Sequence, residues 1–380
     1  MKGVLEMNKL SWVMVVLLAF IVGCSNDKQI DHTQVQSQKV DLVTEALTNI
    51  EVSTRVNNES ADLDDQFLQL AGVIQDQGGT LYLSDQKKHL IYRIGPDSKV
   101  ETMIDYSNEV DEFNQPIGGF KNGPLKQAQF NSPNGLAIDA NNNLYIADSG
   151  NGMVRKLTQT GEVETIVDGL SYPFDLVINE SDELFISDAL SHQIYRLMPD
   201  GRLDIFAGGG YLEEDGYLIG AYQDDQGEAA QFNEPSGLAL TPSGNLLVAD
   251  TGNQRIRMIE PDGTVSTVAG SGDVFIPGTP YVNGGYHDGL VEEAQFNFPK
   301  SIVALSDDEF IVSDTYNHAL RLIQNGEVTT LAGTGDIGYL EGDQSVARFY
   351  NPTALIHADD RLIIIDQYNH AIREVQFTTE

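Results

Sequence analysis

This chain of 380 residues is short of cysteine, tryptophan and basic residues: it has one Cys, one Trp and 22 Lys plus Arg against 57 Asp plus Glu. A single cysteine, Cys24, excludes a disulfide framework, so the fold must stand on its core. A formal net charge of −35 excludes a surface that holds a phosphate backbone, and no nucleic-acid partner is expected. Beyond residue 24 no apolar run approaches the about 20 residues that a spanning helix needs. The Asp-x-Asp-x-Asp-Gly spacing of a calcium loop is also absent. No cofactor is therefore expected, and calcium is the one cation that such an acidic surface could draw.

The first 24 residues are arranged as a lipoprotein signal. Lys2 and Lys9 make a basic start, Leu10 to Val22 an apolar run too short to span, and Gly23 precedes the cysteine. Residues 1–23 are expected to be cleaved and Cys24 lipidated, which leaves no free thiol. Their loss removes Lys2, Lys9 and Glu6, a net +1, and takes the charge from −35 to −36. Residues 24–46 are polar and Gln-rich, a flexible tether reaching roughly 25 Å from the lipid. Ser25 in place of Asp favours the outer membrane facing the periplasm, with the cell surface as the alternative.

Six stretches repeat one pattern, a strand ending in Asp, a tight turn, and Arg seven or eight residues later. The pairs are Asp85/Arg93, Asp148/Arg155, Asp188/Arg196, Asp250/Arg257, Asp314/Arg321 and Asp366/Arg373. Pro133, Pro173, Pro235, Pro299 and Pro352 stand 14 or 15 residues before five of these Asp residues. Units of about 40 residues with several short apolar segments predict an all-β, six-bladed β-propeller. The blades span about 63–106, 130–168, 171–208, 232–271, 296–334 and 349–377, all within a domain over 47–380. The sixth unit ends after three strands, and an open edge would aggregate. The spare alternating segment, about 48–56, is therefore expected to supply the fourth strand and close the ring.

Leu246 to Arg257 and Phe310 to Arg321 carry the turn motif most clearly, and Asn317-His318 and Asn369-His370 begin an Asn-His-Leu-like turn. This resembles the NHL repeat, a family of mostly six-bladed propellers, over about 65–377. The resemblance implies a binding scaffold rather than a particular chemistry. Recurrence in every blade argues that the six Asp and six Arg residues, and His89, His192, His318 and His370, are architecture. An Asp at a strand end accepts turn N–H groups and is well placed for the Arg of the next strand.

Residues that break the repeat are better functional candidates. Insertions at about 105–129, 209–231, 271–295 and 335–348 should crowd one face, while blades 2 and 3 are joined almost directly, leaving a gap in the rim. Two insertions lack Lys and Arg. One holds Glu213, Glu214, Asp215, Asp224, Asp225 and Glu228 with Tyr211, Tyr217 and Tyr222. The other holds Asp273, Asp288, Glu292 and Glu293 with Phe275, Tyr281, Tyr286 and His287. Rings beside carboxylates make a platform for a protein, peptide or glycan, and equally make a solvated acidic loop packed by its own tyrosines.

Distant similarity to gluconolactonase-like propellers implies metal ligands at the axis, just after the turn Pro. The matching positions are Asn134, Phe174, Ser236, Lys300 and Thr353. Only Asn134 fits, and Lys300 would oppose a cation. None is the His that related zinc lyases need. A hydrolase or lyase using Asn134 and Asp175 is the alternative to the preferred reading, a monomeric, lipid-anchored binding propeller.

Overall fold

The computed structural model describes residues 47–60, 67–105, 110–112, 115–209, 212–214, 217–358 and 360–379. Cys24, the signal and the tether lie outside the described residues, as does Tyr211. Six antiparallel sheets make six blades in chain order, the six-bladed propeller expected from the repeat. Blade 4 is typical: Pro235–Leu240 lies at the axis, followed outward by Leu246–Asp250, Arg255–Ile259 and Val265–Ala269. The innermost strands of the other blades are Leu70–Gln75, Pro133–Ile138, Pro173–Ile178, Pro299–Ala304 and Pro352–Ala358. Middle strands are buried on both faces and read as continuous apolar runs, such as Leu246 to Ala249.

Ring closure is as expected. Leu47–Asn57 forms the outer strand of blade 6, pairing antiparallel with Ala371–Thr379 through Val52 opposite Val375 and Thr54 opposite Arg373. Val52 and Thr54 occupy the places of Val163/Thr165, Val265/Thr267 and Val328/Thr330 in the outer strands of blades 2, 4 and 5. This recurring Val-x-Thr was a further sequence signal for the closing strand.

Every blade junction near the axis carries a side-chain bond to the next blade's backbone. Ser84 donates to the Asn134 carbonyl (2.6 Å), Ser149 to Pro173 (2.5 Å) and Ser187 to Ser236 (2.5 Å). Thr251 donates to Pro299 (2.7 Å), Thr315 to Pro352 (2.8 Å), and Gln367 Nε2 to Leu70 across the closure (2.9 Å). These donors sit immediately before or after the repeated Asp, so that turn joins blades as well as strands.

The Asp/Arg pair forms in four blades. Arg155, Arg257, Arg321 and Arg373 are completely buried and reach Asp148, Asp250, Asp314 and Asp366 at 2.6–2.9 Å. Each Arg also bonds two carbonyls of the insertion that precedes its blade, for example Gln231 and Gln223 around Arg257. Two rings enclose it: Tyr222 and Phe232 at 4.8 and 5.1 Å from Arg257, Tyr286 and Phe296 at 5.0 and 5.2 Å from Arg321. In blade 6 the closing strand completes the cage, since Thr54 meets the hydroxyl of Tyr339, which covers Arg373.

Arg93 and Arg196 differ from the expected pairing. Arg93 bonds exposed Glu101, and Arg196 lies 3.8 Å from Glu183. In these two blades the Arg stands eight rather than seven residues after the Asp, so Tyr92 and Tyr195, opposite Leu83 and Ile186, take the place that Arg257 holds opposite Val248, and the Arg falls on the other face of the sheet. Asp85 and Asp188 instead accept backbone N–H groups, from Leu68, Gln69 and Lys88, and from Ser171 and Tyr172.

Two outcomes follow for stability. Arg257→Met strands Asp250 without its counter-charge and should cost about 3–5 kcal/mol in denaturant melts, whereas Arg93→Met should leave the midpoint nearly unmoved. Deleting residues 48–58 should lower the melting temperature sharply, and an unchanged melt would contradict closure by that strand.

Candidate functional site

The insertions are mostly edge structure. Gly123–Pro124, Gly289–Leu290 and Gly342–Asp343 add a fifth strand to blades 2, 5 and 6, and Gln226 bridges Thr264 in blade 4. Running up that edge, Tyr222 and Tyr286 lie over the buried Arg residues and hydrogen-bond Thr267 and Thr330. Asp224 accepts from Arg257 and Thr267, and Asp288 from Arg321 and Thr330. Asp225 takes the Gln223 amide and the Gln226 N–H, and the His287 carbonyl serves Arg321. Tyr217 stands in a short hairpin, Leu212–Glu214 against Tyr217–Ile219. Tyr281 departs from this pattern and faces the mouth of the ring.

Histidines of the turn tie neighbouring blades. His89, His192 and His318 accept through Nδ1 from the backbone N–H of Ser132, Glu234 and Asn351. Burial holds all three below the usual imidazole range, keeping Nδ1 free to accept. Gln254 does the same work for Phe298.

At the axis, the innermost strands of all six blades line a channel of about 360 Å³. Asp175 lies in it at a position occupied elsewhere by Gly72, Gly135, Gly237, Ser301 and Ala354. A Cβ on Gly135 would come within 2.3 Å of Asp175 Oδ1 and 2.6 Å of its Cα, so the glycine lets the two innermost strands approach here. Its Oδ2 accepts the Leu238 N–H at 2.9 Å, as Ser301 accepts that of Leu355 at 3.2 Å, which makes Asp175 also a blade-to-blade tie. Burial pushes its carboxyl up to about 7 against the pull of the Leu238 and Leu176 N–H groups. Asn134 also lines the channel but is only 2% exposed. Among the described residues, no three His, Cys, Asp or Glu side chains converge to hold a metal ion.

The cavity with the most side-chain chemistry is a second one, about 410 Å³, on the upper face over blades 3, 4 and 5. Tyr281, Phe298 and Tyr316 form a run of rings, with centroids 5.5 and 5.0 Å apart. Tyr172 and Phe174 close the far wall, beside Leu190, half exposed on the turn of blade 3. Its two charges are Glu234, whose Oε1 accepts the Tyr281 hydroxyl at 2.6 Å, and Lys300, shared with the axial channel. Burial and the Glu234 carboxylate both push the Tyr281 hydroxyl up, so it stays a donor. Burial holds Lys300 below the usual lysine range, with Glu234 pulling the other way. Glu234 and Phe298 have φ of 50° and 53°, a costly backbone for such residues that also occurs at Ser132 and Asn351 and thus comes from the repeat.

Sequence reasoning singled out Tyr281 but missed Tyr172, Glu234, Phe298 and Tyr316, and treated Lys300 only as an obstacle to a metal. The signal was present: these residues flank the Pro landmarks or follow the repeated Asp, where side chains differ from blade to blade.

These features define a six-bladed propeller whose upper face opens into an aromatic cleft beside the axial channel. Three blades match the NHL repeat, at residues 130–157, 232–257 and 296–321, so the chain is a six-bladed propeller that carries NHL repeats. It is 31% identical over 313 residues to NHL repeat-containing protein 2 of Gallus gallus, covering 70% of this chain and 41% of that relative. The chain thus spans less than half the length of this curated relative. Among solved structures it is similar to an auxiliary nutrient binding protein of Bacteroides ovatus (TM-score 0.62, 17% identity, 87% of this chain and 77% of that one). It is also similar to a gluconolactonase of Xanthomonas campestris (TM-score 0.55, 16% identity, 89% and 96%). At such identities both share the fold, and one fold serving binding and catalysis leaves function to the site.

The Asp175 carboxyl gives a pH signature. It stays protonated in the folded chain to about pH 7, whereas an unfolded Asp ionises near pH 4. Its contribution to stability is then complete below about pH 4 and lost as pH rises through 7. Asp175→Asn, which keeps an acceptor for Leu238 but cannot ionise, should gain on the native protein by roughly 1–3 kcal/mol between pH 4.5 and 8. Parallel stability curves for the two would mean that the carboxyl is charged throughout.

Proposed function

We propose that this protein is a lipid-anchored envelope binding module, and that its ligand, a protein, peptide or glycan, docks in the aromatic cleft over blades 3–5. The observation that carries this reading is the run Tyr281–Phe298–Tyr316, rings that cover no buried Arg and face a cavity. Elsewhere on this face, by contrast, the rings of Tyr222 and Tyr286 are taken up by the Arg cages. Aromatic side chains offer large, rigid contact area at low entropic cost, which suits recognition. The directly joined blades 2 and 3 leave this sector of the rim low, giving a large ligand access. Anchoring rests on Cys24 and its preceding signal, with the outer membrane facing the periplasm as the favoured location.

An axial hydrolase or lyase is the second reading, favoured by the raised Asp175 carboxyl. It is the weaker one, because Asp175 is engaged at a blade junction and Asn134 is only 2% exposed.

Tyr281→Ala with Phe298→Ala should abolish photo-cross-linking to ligand in cells and leave the melt close to native. Tyr222→Ala should do the reverse, destabilising blade 4 while keeping the cross-link. Loss of cross-linking only in the Asp175 and Asn134 variants would move the site to the axis. Cys24→Ser should shift the protein from the membrane to the soluble fraction.

A further inference from the structure

Most buried charges in this molecule are spent. The guanidinium of Arg257 meets two carboxylates, two carbonyls and two rings, and its counterparts in blades 2, 5 and 6 are similarly enclosed. Lys300 is the exception. It is half-buried, its amine opening onto the floor of the cleft, and Nζ makes no hydrogen bond or ion pair among the described residues. Across the same cavity Glu234 has one oxygen occupied by Tyr281 and the other without a donor among the described residues. The two opposite charges feel each other but stand beyond the 4.0 Å of an ion pair, with the cavity between them.

An amine that loses part of its water without gaining a protein acceptor has an unmet demand, and a carboxylate opposite it that falls short of contact does little to relieve it. A ligand that presents an anion to Lys300 and a cation to Glu234 would satisfy both ends, and the rings beside them would hold its apolar part. The geometry points to a zwitterion: we propose that the cleft binds a free α-amino acid or a short peptide with both ends free, bearing an apolar or aromatic side chain. Its ammonium group donates to Glu234, its carboxylate accepts from Lys300, and its side chain lies against Tyr281, Phe298 and Tyr316. A cation–ring contribution from the ammonium adds to this. A cavity of about 410 Å³ has room for one aromatic amino acid or a dipeptide. The proposal rests on the cleft being the docking site, and it names the chemistry recognised there.

Calorimetric titration of the full, detergent-solubilised chain with L-phenylalanine and with Phe-Phe tests it, using N-acetyl-phenylalanine and phenylalaninamide as singly charged controls. A free-ended ligand should bind, and capping either end should weaken it by at least about tenfold. Which of the two free-ended probes binds more tightly separates an amino acid from a peptide. Glu234→Gln should erase the preference over the N-acetyl compound while keeping that over the amide, and Lys300→Met should do the opposite. This crossed pattern cannot arise from general loss of structure. Equal binding of capped and free forms, or no binding of any free-ended probe at millimolar concentration, would overturn the proposal. If the Tyr281 and Phe298 variants still lose their cellular cross-link in that case, the cleft stands as a docking site for another chemistry; if they keep it, both readings fall.

Discussion

A buried arginine constrains this molecule more than any other single group. A guanidinium carries five N–H donors, accepts nothing and cannot discard its charge, so burying it requires a carboxylate, several carbonyls and a surface that tolerates a cation. Blades 2, 4, 5 and 6 meet that demand in one way. The strand-end Asp supplies the charge, two carbonyls come from the insertion ahead of the blade, and a ring from the insertion and a Phe from its end cover both faces. The insertions are therefore part of the blades they precede. Their acidic residues at positions 224 and 288 answer the same arginines rather than awaiting a ligand.

Where the demand is absent, the surface opens. Blade 3 has no insertion before it, its Arg196 pairs with Glu183, and Leu190 stands half exposed on its turn. Blade 5 contributes Phe298, Lys300 and Tyr316, while blade 4 contributes Glu234, and the segment before blade 5 leans Tyr281 over them. The missing lead-in leaves the low rim through which the cleft is reached.

The period of Asp, Arg and Pro made the propeller legible from the chain alone, because each landmark answers a local need repeated six times. The closing strand was legible through an absence, the missing fourth strand of blade 6. The site was harder to read. Tyr222 beside Asp224 has the same composition as a binding platform, and only the position of Arg257 shows which way the ring is used. The cleft escaped because Tyr172, Glu234, Phe298 and Tyr316 come from three blades and meet only once the ring is closed. Comparing the residues beside each Pro across units would have exposed them, since blades 3 and 5 place aromatic residues where other units carry polar ones.

Hydrogen exchange along the insertions tests the central claim most directly, that the insertions are blade edges held by buried arginines. The account predicts slow exchange over 222–232 and 286–296, approaching that of the strands they cover, and fast exchange over 273–280. Uniformly fast exchange through all of these segments would contradict it, and would return the acidic insertions to the role of free binding loops.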